Sequence, residues 1–142
     1  LYLEQSQDFS VDTTISAIDA LQRLQQRKFD AVLSDYQMPE MDGIRFLQTL
    51  RSRGDSVPFI IFTGRGREEV IINALNSGVD FFLQKGGDPT SQFAELKNII
   101  IKSVRQKRAE EAQRQSEKRI YDILNHLPEA TFAIDRNGRI IA

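Results

Sequence analysis

The sequence predicts an α/β fold with a doubly wound parallel sheet, mainly because of the order of its apolar segments. Short segments of strand length alternate with longer segments whose apolar residues recur at helical spacing, which is typical of crossover units. Residues 57–63 (VPFIIFT) are apolar almost throughout, as in a strand that is covered on both faces. Glycine or proline follows several strand-like segments, where turns must lead into the next helix.

The first thirty residues are predicted to contain the end of a helix, a strand and a complete helix. Residues 1–7 (LYLEQSQ) are predicted to end a helix. Residues 9–14 (FSVDTT) alternate between apolar and polar side chains, which predicts a half-buried strand. Residues 16–29 (SAIDALQRLQQRKF) have the apolar spacing of a helix, with Ser16 as the N-cap and Asp19 three residues on.

Residues 30–104 are predicted to alternate between strand and helix. The segments DAVLSD, VPFIIFT and VDFFLQK have the length and composition of strands, and helical spacing follows each of them. The predicted strands are therefore 30–35, 57–63 and 79–85, and the predicted helices are 42–54, 67–78 and 91–104. Because ligands bind beyond the carboxyl ends of the strands in such sheets, the functional residues are expected where these strands end.

Three polar residues stand at the ends of the predicted strands: Asp35, Thr63 and Lys85. Singly, each is most often a turn, capping or solvent-exposed residue. Together they offer a carboxylate nucleophile, a hydroxyl donor and an ammonium counter-charge at one sheet edge, a set that suits a phosphoryl group on Asp35. A divalent cation is expected as well, because phosphoryl transfer depends on charge neutralisation, and Mg²⁺ takes oxygen ligands.

The composition excludes several other classes of function. The chain has no cysteine, which excludes disulfides, thiolate metal sites and cysteine nucleophiles. Its formal net charge of -1 at pH 7 gives no general attraction to nucleic acid or to anionic membranes. No apolar segment approaches the roughly 18 residues of a membrane span and no secretory signal is visible, so a cytoplasmic location is expected.

Residues 29–43 (FDAVLSDYQMPEMDG) resemble the phosphorylation segment of two-component receiver domains. The order and spacing of Thr63 and Lys85 fit the same family. This resemblance covers residues 1–105 and implies a flavodoxin-like sheet in which Asp35 accepts a phosphoryl group from a phosphohistidine. It also implies that the partner is a histidine kinase or a phosphotransfer protein, and that Lys85 bridges to the phosphate.

The resemblance implies further roles for residues around the acceptor. Asp35 and the backbone carbonyl of Gln37 would bind Mg²⁺. The backbones of Gln37 and Gly64 would contact the phosphoryl group. Thr63 and Phe82 would form the switch that moves on phosphorylation.

The sequence departs from the family pattern in several places, and one of them is Phe82, which lacks the hydroxyl of the commoner tyrosine. The first strand of the family, with its acidic metal-binding pair, would precede residue 1, so this segment is expected to lack that strand and the remaining acidic metal ligands. Gly64 stands where the family usually has alanine after the threonine. Gly86 stands where proline commonly follows the lysine, so the loop after Lys85 is expected to differ in shape.

The carboxyl-terminal part is predicted to be a connector followed by the start of another domain. Residues 106–119 are a charged helical linker, after the receiver at 1–105. Residues 120–142 have a helical apolar stripe that ends at Pro128, and then two strands around the turn sequence RNG. They resemble the opening of a PAS domain, and this order of segments resembles sensor kinases, although no kinase motif is present.

Other functions stay open at this stage. A receiver-like module that is never phosphorylated would use the same surface for constitutive protein contact, and a small α/β enzyme would bind a phosphorylated metabolite at the strand ends. Enzymatic activity of the chain itself would be limited to its own phosphorylation and dephosphorylation. A homodimer is an open expectation, through the face of the helices at 67–78 and 91–104 or through the linker helix.

Overall fold

The computed structural model describes residues 3, 6–64, 68–126, 133–134, 136–138 and 140–141. The chain divides into two compact units, Leu1–Lys107 and Arg108–Ala142. None of the helices in these described ranges is both long enough and apolar enough to cross a membrane.

The first unit alternates between helix and strand, as the sequence predicts. Its elements are α1 (Ala17–Gln26), β1 (Val32–Ser34), α2 (Gly43–Ser52), β2 (Phe59–Thr63), α3 (Glu68–Asn76), β3 (Phe81–Gln84) and the start of α4 (Pro89–His126). The three strands form one parallel sheet in the order β1-β2-β3. The α/β fold with a parallel sheet is therefore confirmed for the described residues.

The central strand β2 is covered on both faces, which confirms the prediction from its continuous apolar sequence. Phe59, Ile60 and Ile61 are each 0% exposed. Alternate residues of β2 belong to two core clusters on opposite sides of the sheet. The first cluster comprises Ala17, Leu21, Ile44, Phe46, Leu47, Leu50, Val57, Phe59, Ile61, Ala74 and Val79. The second cluster comprises Ile60, Leu96 and Ile100.

Helix α2 begins directly after the loop that carries the predicted acceptor. Asp42 is its N-cap, and the Asp42 side chain accepts a hydrogen bond of 2.8 Å from the backbone N–H of Arg45. The helix packs on the sheet through the first core cluster, where the rings of Phe46 and Phe59 meet edge to face with centroids 5.2 Å apart. It stops before Gly54, whose φ of 77° lies in the left-handed region as the predicted helix end requires.

Arg51 fixes the opposite, amino-terminal end of the sheet. Its guanidinium donates to the carbonyls of Asp55 and Val57, both at 3.0 Å, and to the Asp80 carboxylate at 3.1 Å. The same Asp80 oxygen accepts from the backbone N–H of Phe59 at 2.7 Å. These contacts hold the starts of β2 and β3 beside α2. They thereby help to fix the register of the two strands, and the register determines which residues stand at their carboxyl ends.

The strand predicted at residues 9–14 is wrong. These residues form no strand, because no neighbouring strand in the described part of the chain supplies ladder hydrogen bonds to them. Asp12 instead accepts from the guanidinium groups of Arg23 and Arg27, and the Phe9 side chain packs against the second core cluster. Of the helix end predicted at residues 1–7, only Leu3 is described as helical, and four residues there (Leu1, Tyr2, Glu4 and Gln5) lie outside the described residues.

Helix α4 joins the two predicted helices at 91–104 and 106–119 into one continuous helix of 38 residues. In the second unit its sides are exposed, including the predicted apolar stripe, where Ile120 and Ile123 are 57% and 56% exposed. The helix is described as far as His126, and the predicted stop at Pro128 lies outside the described residues.

Two short strands follow α4. They are β4 (Ala133–Ile134) and β5 (Ile140–Ile141), which pair antiparallel. Gly138, in the turn between them, has a φ of 77°. The predicted hairpin around RNG is thus confirmed within the described ranges.

Candidate functional site

The three residues singled out from the sequence lie together at the carboxyl edge of the sheet. Asp35 follows β1, Thr63 ends β2 and Lys85 follows β3. Parallel pairing aligns these ends, because Ser34 is opposite Ile61 in the first ladder and Thr63 is opposite Gln84 in the second. Residues far apart in the chain are thereby brought to one small surface.

Direct contacts join the side chains at this edge. Lys85 Nζ donates to Asp35 Oδ2 at 2.7 Å, and the two side chains are 42% and 37% exposed. The backbone N–H of Gln37 lies 3.3 Å from the other carboxylate oxygen, Oδ1. The Thr63 hydroxyl, in a residue only 1% exposed, is also near enough to the Asp35 carboxylate to lower its pKa. The carboxylate is thus surrounded by donors but stays open to solvent on one side.

The electrostatics of Asp35 follow from these contacts. Partial burial raises the pKa of the carboxyl, but hydrogen bonds from Lys85, Thr63 and the Gln37 backbone, with the charge of Lys85, outweigh it. The pKa of Asp35 is therefore lower than its ordinary value. Near neutral pH the residue is a carboxylate, which is the form that can act as a nucleophile.

The loop after Asp35 is held tightly against the start of α2. The backbone N–H of Gly43 donates to the Tyr36 carbonyl at 2.8 Å. A Cβ added at Gly43 would lie 2.4 Å from the Asp35 carbonyl oxygen, so only glycine fits there without a backbone shift. Within the loop, Glu40 has a φ of 66°, a left-handed conformation that is uncommon outside glycine.

Sequence reasoning missed Ser34, the residue before the acceptor. It is 4% exposed, and its hydroxyl donates to the Asp35 carbonyl at 2.8 Å. This bond helps to fix the backbone from which the Asp35 carboxylate projects. A small hydroxyl residue inside an apolar strand was the available signal, because a buried hydroxyl must find a partner.

The loop that carries Lys85 is bound on both sides. Its backbone N–H donates to the Thr63 carbonyl at 2.8 Å, which continues the ladder between β2 and β3. On the other side, Gln92 Nε2 donates to the carbonyls of Gln84 and Gly86 at 2.8 Å and 2.9 Å. The sequence pattern gave no role to Gln92. Lys85 Nζ also lies 5.3 Å from the centre of the Phe62 ring.

The remaining predicted residues lie around this group. Gly64 directly follows Thr63, is exposed, and has no atom of the described residues within 4 Å of the position that a Cβ would take. Phe82 is half-buried and packs against the first core cluster. The arginines of the loop after Gly64, at positions 65 and 67, lie outside the described residues.

Two oxygen atoms at this edge of the sheet are of the kind that Mg²⁺ prefers as ligands. The Asp35 carboxylate and the backbone carbonyl of Gln37 are both oxygen ligands, and their residues are in contact through the bond to Oδ1. Among the described residues, no group of three or more acidic, histidine or cysteine side chains could hold a metal ion. The Asp35 carboxylate and the Gln37 carbonyl therefore supply two oxygen ligands that fit such an ion, and their role as metal ligands stays a prediction.

Most of the chain matches the profile of one known protein family. The profile of the response regulator receiver domain matches residues 1–101 of the 142-residue chain. The chain belongs to the response regulator receiver family. Receiver domains are phosphoacceptor modules of two-component signalling. The match to the receiver family ends at residue 101, and no PAS domain is found in the residues after it.

Individual relatives agree with the family match. Response regulator Rre1 of Synechocystis sp. is 38% identical to the receiver chain over 103 residues, which are 71% of this chain and 45% of that protein. The probable transcriptional regulator ycf29 of Porphyra purpurea is 33% identical over 98 residues, which are 68% of this chain and 47% of that protein. The receiver chain thus spans less than half the length of each.

Solved structures show the same fold. A response regulator receiver domain from Francisella is 24% identical with a TM-score of 0.61, and the match covers 72% of this chain and 84% of that one. The receiver domain of a sensor histidine kinase from Pseudomonas aeruginosa has a TM-score of 0.61 and is 25% identical, with 72% of this chain and 83% of that one covered. That domain has a magnesium ion coordinated in its active-site cleft.

Substitution of Gly43 by alanine should destabilise the receiver, whereas Gly64→Ala should not. The added methyl group at Gly43 meets the Asp35 carbonyl, and relief of such overpacking typically costs about 1–3 kcal/mol. In the described part of the chain nothing lies close to the position of a Cβ at Gly64, so its change should stay within about 0.5 kcal/mol. Urea unfolding of the two variants measures the difference, and equal losses of stability would contradict the close approach at Gly43.

Substitution of Lys85 by methionine should raise the pKa of Asp35. The variant removes a hydrogen bond and a positive charge that favour the carboxylate. Since the pKa of Asp35 in the folded wild type is lowered, the stabilisation from this pair is complete above the unfolded value of about 3.9 and is lost as the pH falls through the folded value. Carbon NMR of the Asp35 carboxyl measures the titration. Lys97→Met, which removes a lysine that instead contacts Asp8, should leave the pKa of Asp35 unchanged.

Proposed function

We propose that Asp35 is the phosphoacceptor of this receiver and takes its phosphoryl group from a phosphohistidine on a histidine kinase or a phosphotransfer protein. The observation that carries the proposal is the 2.7 Å contact between Lys85 Nζ and an Asp35 carboxylate that Thr63 and the Gln37 backbone also contact. An ionised acid, an ammonium and a hydroxyl at one sheet edge match the needs of a transferred phosphoryl group.

The transfer step uses groups of this chain directly. A carboxylate oxygen of Asp35 attacks phosphorus, the new O–P bond forms, and the P–N bond breaks with its electron pair passing to the imidazole nitrogen. Lys85 then turns from the carboxylate to the phosphoryl oxygens. The hydroxyl of Thr63 and the backbone N–H of Gly64 donate to the other oxygens.

Mg²⁺ is the proposed cofactor. The Asp35 carboxylate and the Gln37 carbonyl would hold it, together with acidic ligands that precede residue 1 in the family pattern. When bound, the ion neutralises charge on the phosphoryl oxygens. The magnesium ion in the cleft of the related Pseudomonas receiver supports this proposal.

Phosphorylation is proposed to act by a population shift. The added negative charge favours the conformation in which Thr63 and Lys85 close around the phosphoryl group. Phe82, which packs against the first core cluster, repacks as Thr63 moves. The surface formed by α3 and α4 changes as a result. The size of the population shift is set by how much more strongly the phosphoryl group favours the closed conformation than the open one.

Residues 120–142 are proposed to be the start of a PAS domain in a sensor or histidine kinase. The antiparallel pair β4–β5 after a long helix supports this assignment. Receiver domains of histidine kinases from Pseudomonas aeruginosa and Syntrophus aciditrophicus are among the similar structures, which is consistent with such a parent protein. Helix α4 would then carry the receiver signal into this domain.

The homodimer is proposed to form through the linker helix and its continuation in α4 as far as Ile123, rather than through the α3–α4 face. Most residues at 105–119 are charged, yet positions spaced alternately by three and four residues carry no charge. These positions, named here the charge-free stripe, are Gln106, Ala109, Gln113, Ser116, Ile120 and Ile123. In a parallel pair of identical helices each such position faces its own copy, so a stripe without charge avoids self-repulsion.

Ile123→Lys should reduce dimerisation of the full-length protein, because it would place two like charges opposite each other. Gln115→Lys adds the same charge outside the stripe and should leave the dimer intact. Light scattering after size exclusion measures the mass of each variant over a concentration series. An unchanged mass for the Ile123 variant, or a monomeric wild type, would contradict dimerisation through the charge-free stripe.

Asp35→Asn should abolish phosphorylation of the full-length protein. Asparagine keeps the shape of the acceptor but removes its nucleophilic charge. The wild type should be phosphorylated by a small phosphodonor with Mg²⁺, and its backbone amide NMR spectrum should change on addition of beryllofluoride. The variant should show neither response. Asp42→Asn, at the N-cap of α2, is the matched control and should respond like the wild type.

The same experiment separates the rival functions. A constitutive binding module would show no modification in the wild type but would still bind its partner. An enzyme for a phosphorylated metabolite would bind the metabolite without a covalent change at Asp35. Equal labelling of the wild type and the Asp35 variant would place the acceptor elsewhere.

A further inference from the structure

The start of α4 is joined to the Lys85 loop by one side chain. Gln92 lies in the first turn of α4, where its backbone N–H donates to the Asp88 carbonyl at 3.0 Å. The Asp88 side chain caps this turn through the backbone N–H and the hydroxyl of Ser91, both at 2.8 Å. From this fixed position Gln92 Nε2 reaches back to the carbonyls of Gln84 and Gly86, at 2.8 Å and 2.9 Å.

The identity of the Gln92 side chain matters for these two bonds. Both neighbours are backbone carbonyls, which can only accept, so the amide nitrogen must face them and both of its protons are used. Glutamate has the same shape but offers no donor when ionised. Methionine has a similar length and offers none at all.

The two carbonyls flank Lys85 in the chain, so the bonds fix the backbone from which its side chain projects. The loop itself supplies little stiffness, because Gly86 and Gly87 follow Lys85 and Gly87 has a φ of 82°. On the opposite side the N–H of Lys85 is bound to the Thr63 carbonyl at 2.8 Å. Lys85 is therefore held between β2 and the first turn of α4.

We propose that Gln92 is a positioning residue for Lys85 and the link through which the phosphorylation site moves α4. This inference deepens the proposed function and rests on it for the direction of the signal. When Lys85 turns from Asp35 to a phosphoryl group, the carbonyls beside it shift, and the two bonds transmit that shift to the capped first turn. Without Gln92, the glycines absorb the movement and α4 stays where it is.

Gln92→Met in the full-length protein tests the link, with Gln115→Met as the matched control on the exposed part of the same helix. Beryllofluoride with Mg²⁺ is the probe, and backbone amide NMR follows its effect. In the wild type and the control, amides of both the Lys85 loop and the first turn of α4 should shift. In the Gln92 variant the loop should respond while the first turn of α4 does not.

Binding of the probe should also weaken in the Gln92 variant, by roughly 3- to 10-fold, as expected for the loss of hydrogen bonds that preorganise Lys85. Gln92→Glu is a second variant of unchanged size, and at neutral pH it should behave like the methionine variant. Far-UV circular dichroism checks that α4 is intact in each. A purely structural role for Gln92 would lower stability without separating the two sets of amide shifts.

The outcomes distinguish this inference from the proposed function. If the wild type binds the probe and both Gln92 variants give wild-type affinity and wild-type shifts in α4, the link is refuted while Asp35 stays the acceptor. If the wild type itself does not respond, the proposed function fails and the signalling role of Gln92 fails with it.

Discussion

The pairing of β2 with a strand on each side is the constraint on which the rest of this structure depends. Burial of Phe59, Ile60 and Ile61 on both faces leaves β2 only one place, at the centre of the described sheet. Parallel neighbours then end at the same edge, so Thr63 stands between Asp35 and Lys85. The site is a result of strand register, and Arg51, at the far end of the strands, helps to set that register without touching the site.

Much of the fold and the centre of the site could be predicted from sequence because they depend on local patterns. Apolar periodicity located α1 to α3 and β1 to β3, and the ends of those strands located Asp35, Thr63 and Lys85. The strand predicted at residues 9–14 failed for the opposite reason. Alternation shows that a segment can form a strand, but a strand also needs a neighbour, and the described residues supply none there.

The residues that sequence reasoning missed act through tertiary contacts. Ser34 and Gln92 have ordinary polar side chains, and nothing in their spacing shows which carbonyls they reach. Both bind backbone rather than a charged group, so no pairing of opposite charges reveals them. They show that this site is supported from two sides, by the strand before the acid and by the helix after the lysine, whereas the pattern revealed only the groups at its centre.

The position of β1 has a practical consequence for handling the protein. In the described part of the chain β1 pairs only with β2, and Leu33 is 37% exposed on it. A strand with an open side and an apolar side chain is a template for backbone pairing with another molecule. Preparations in which this edge stays uncovered should therefore tend to self-associate through the sheet, and a partner strand bound to β1 would keep them dispersed.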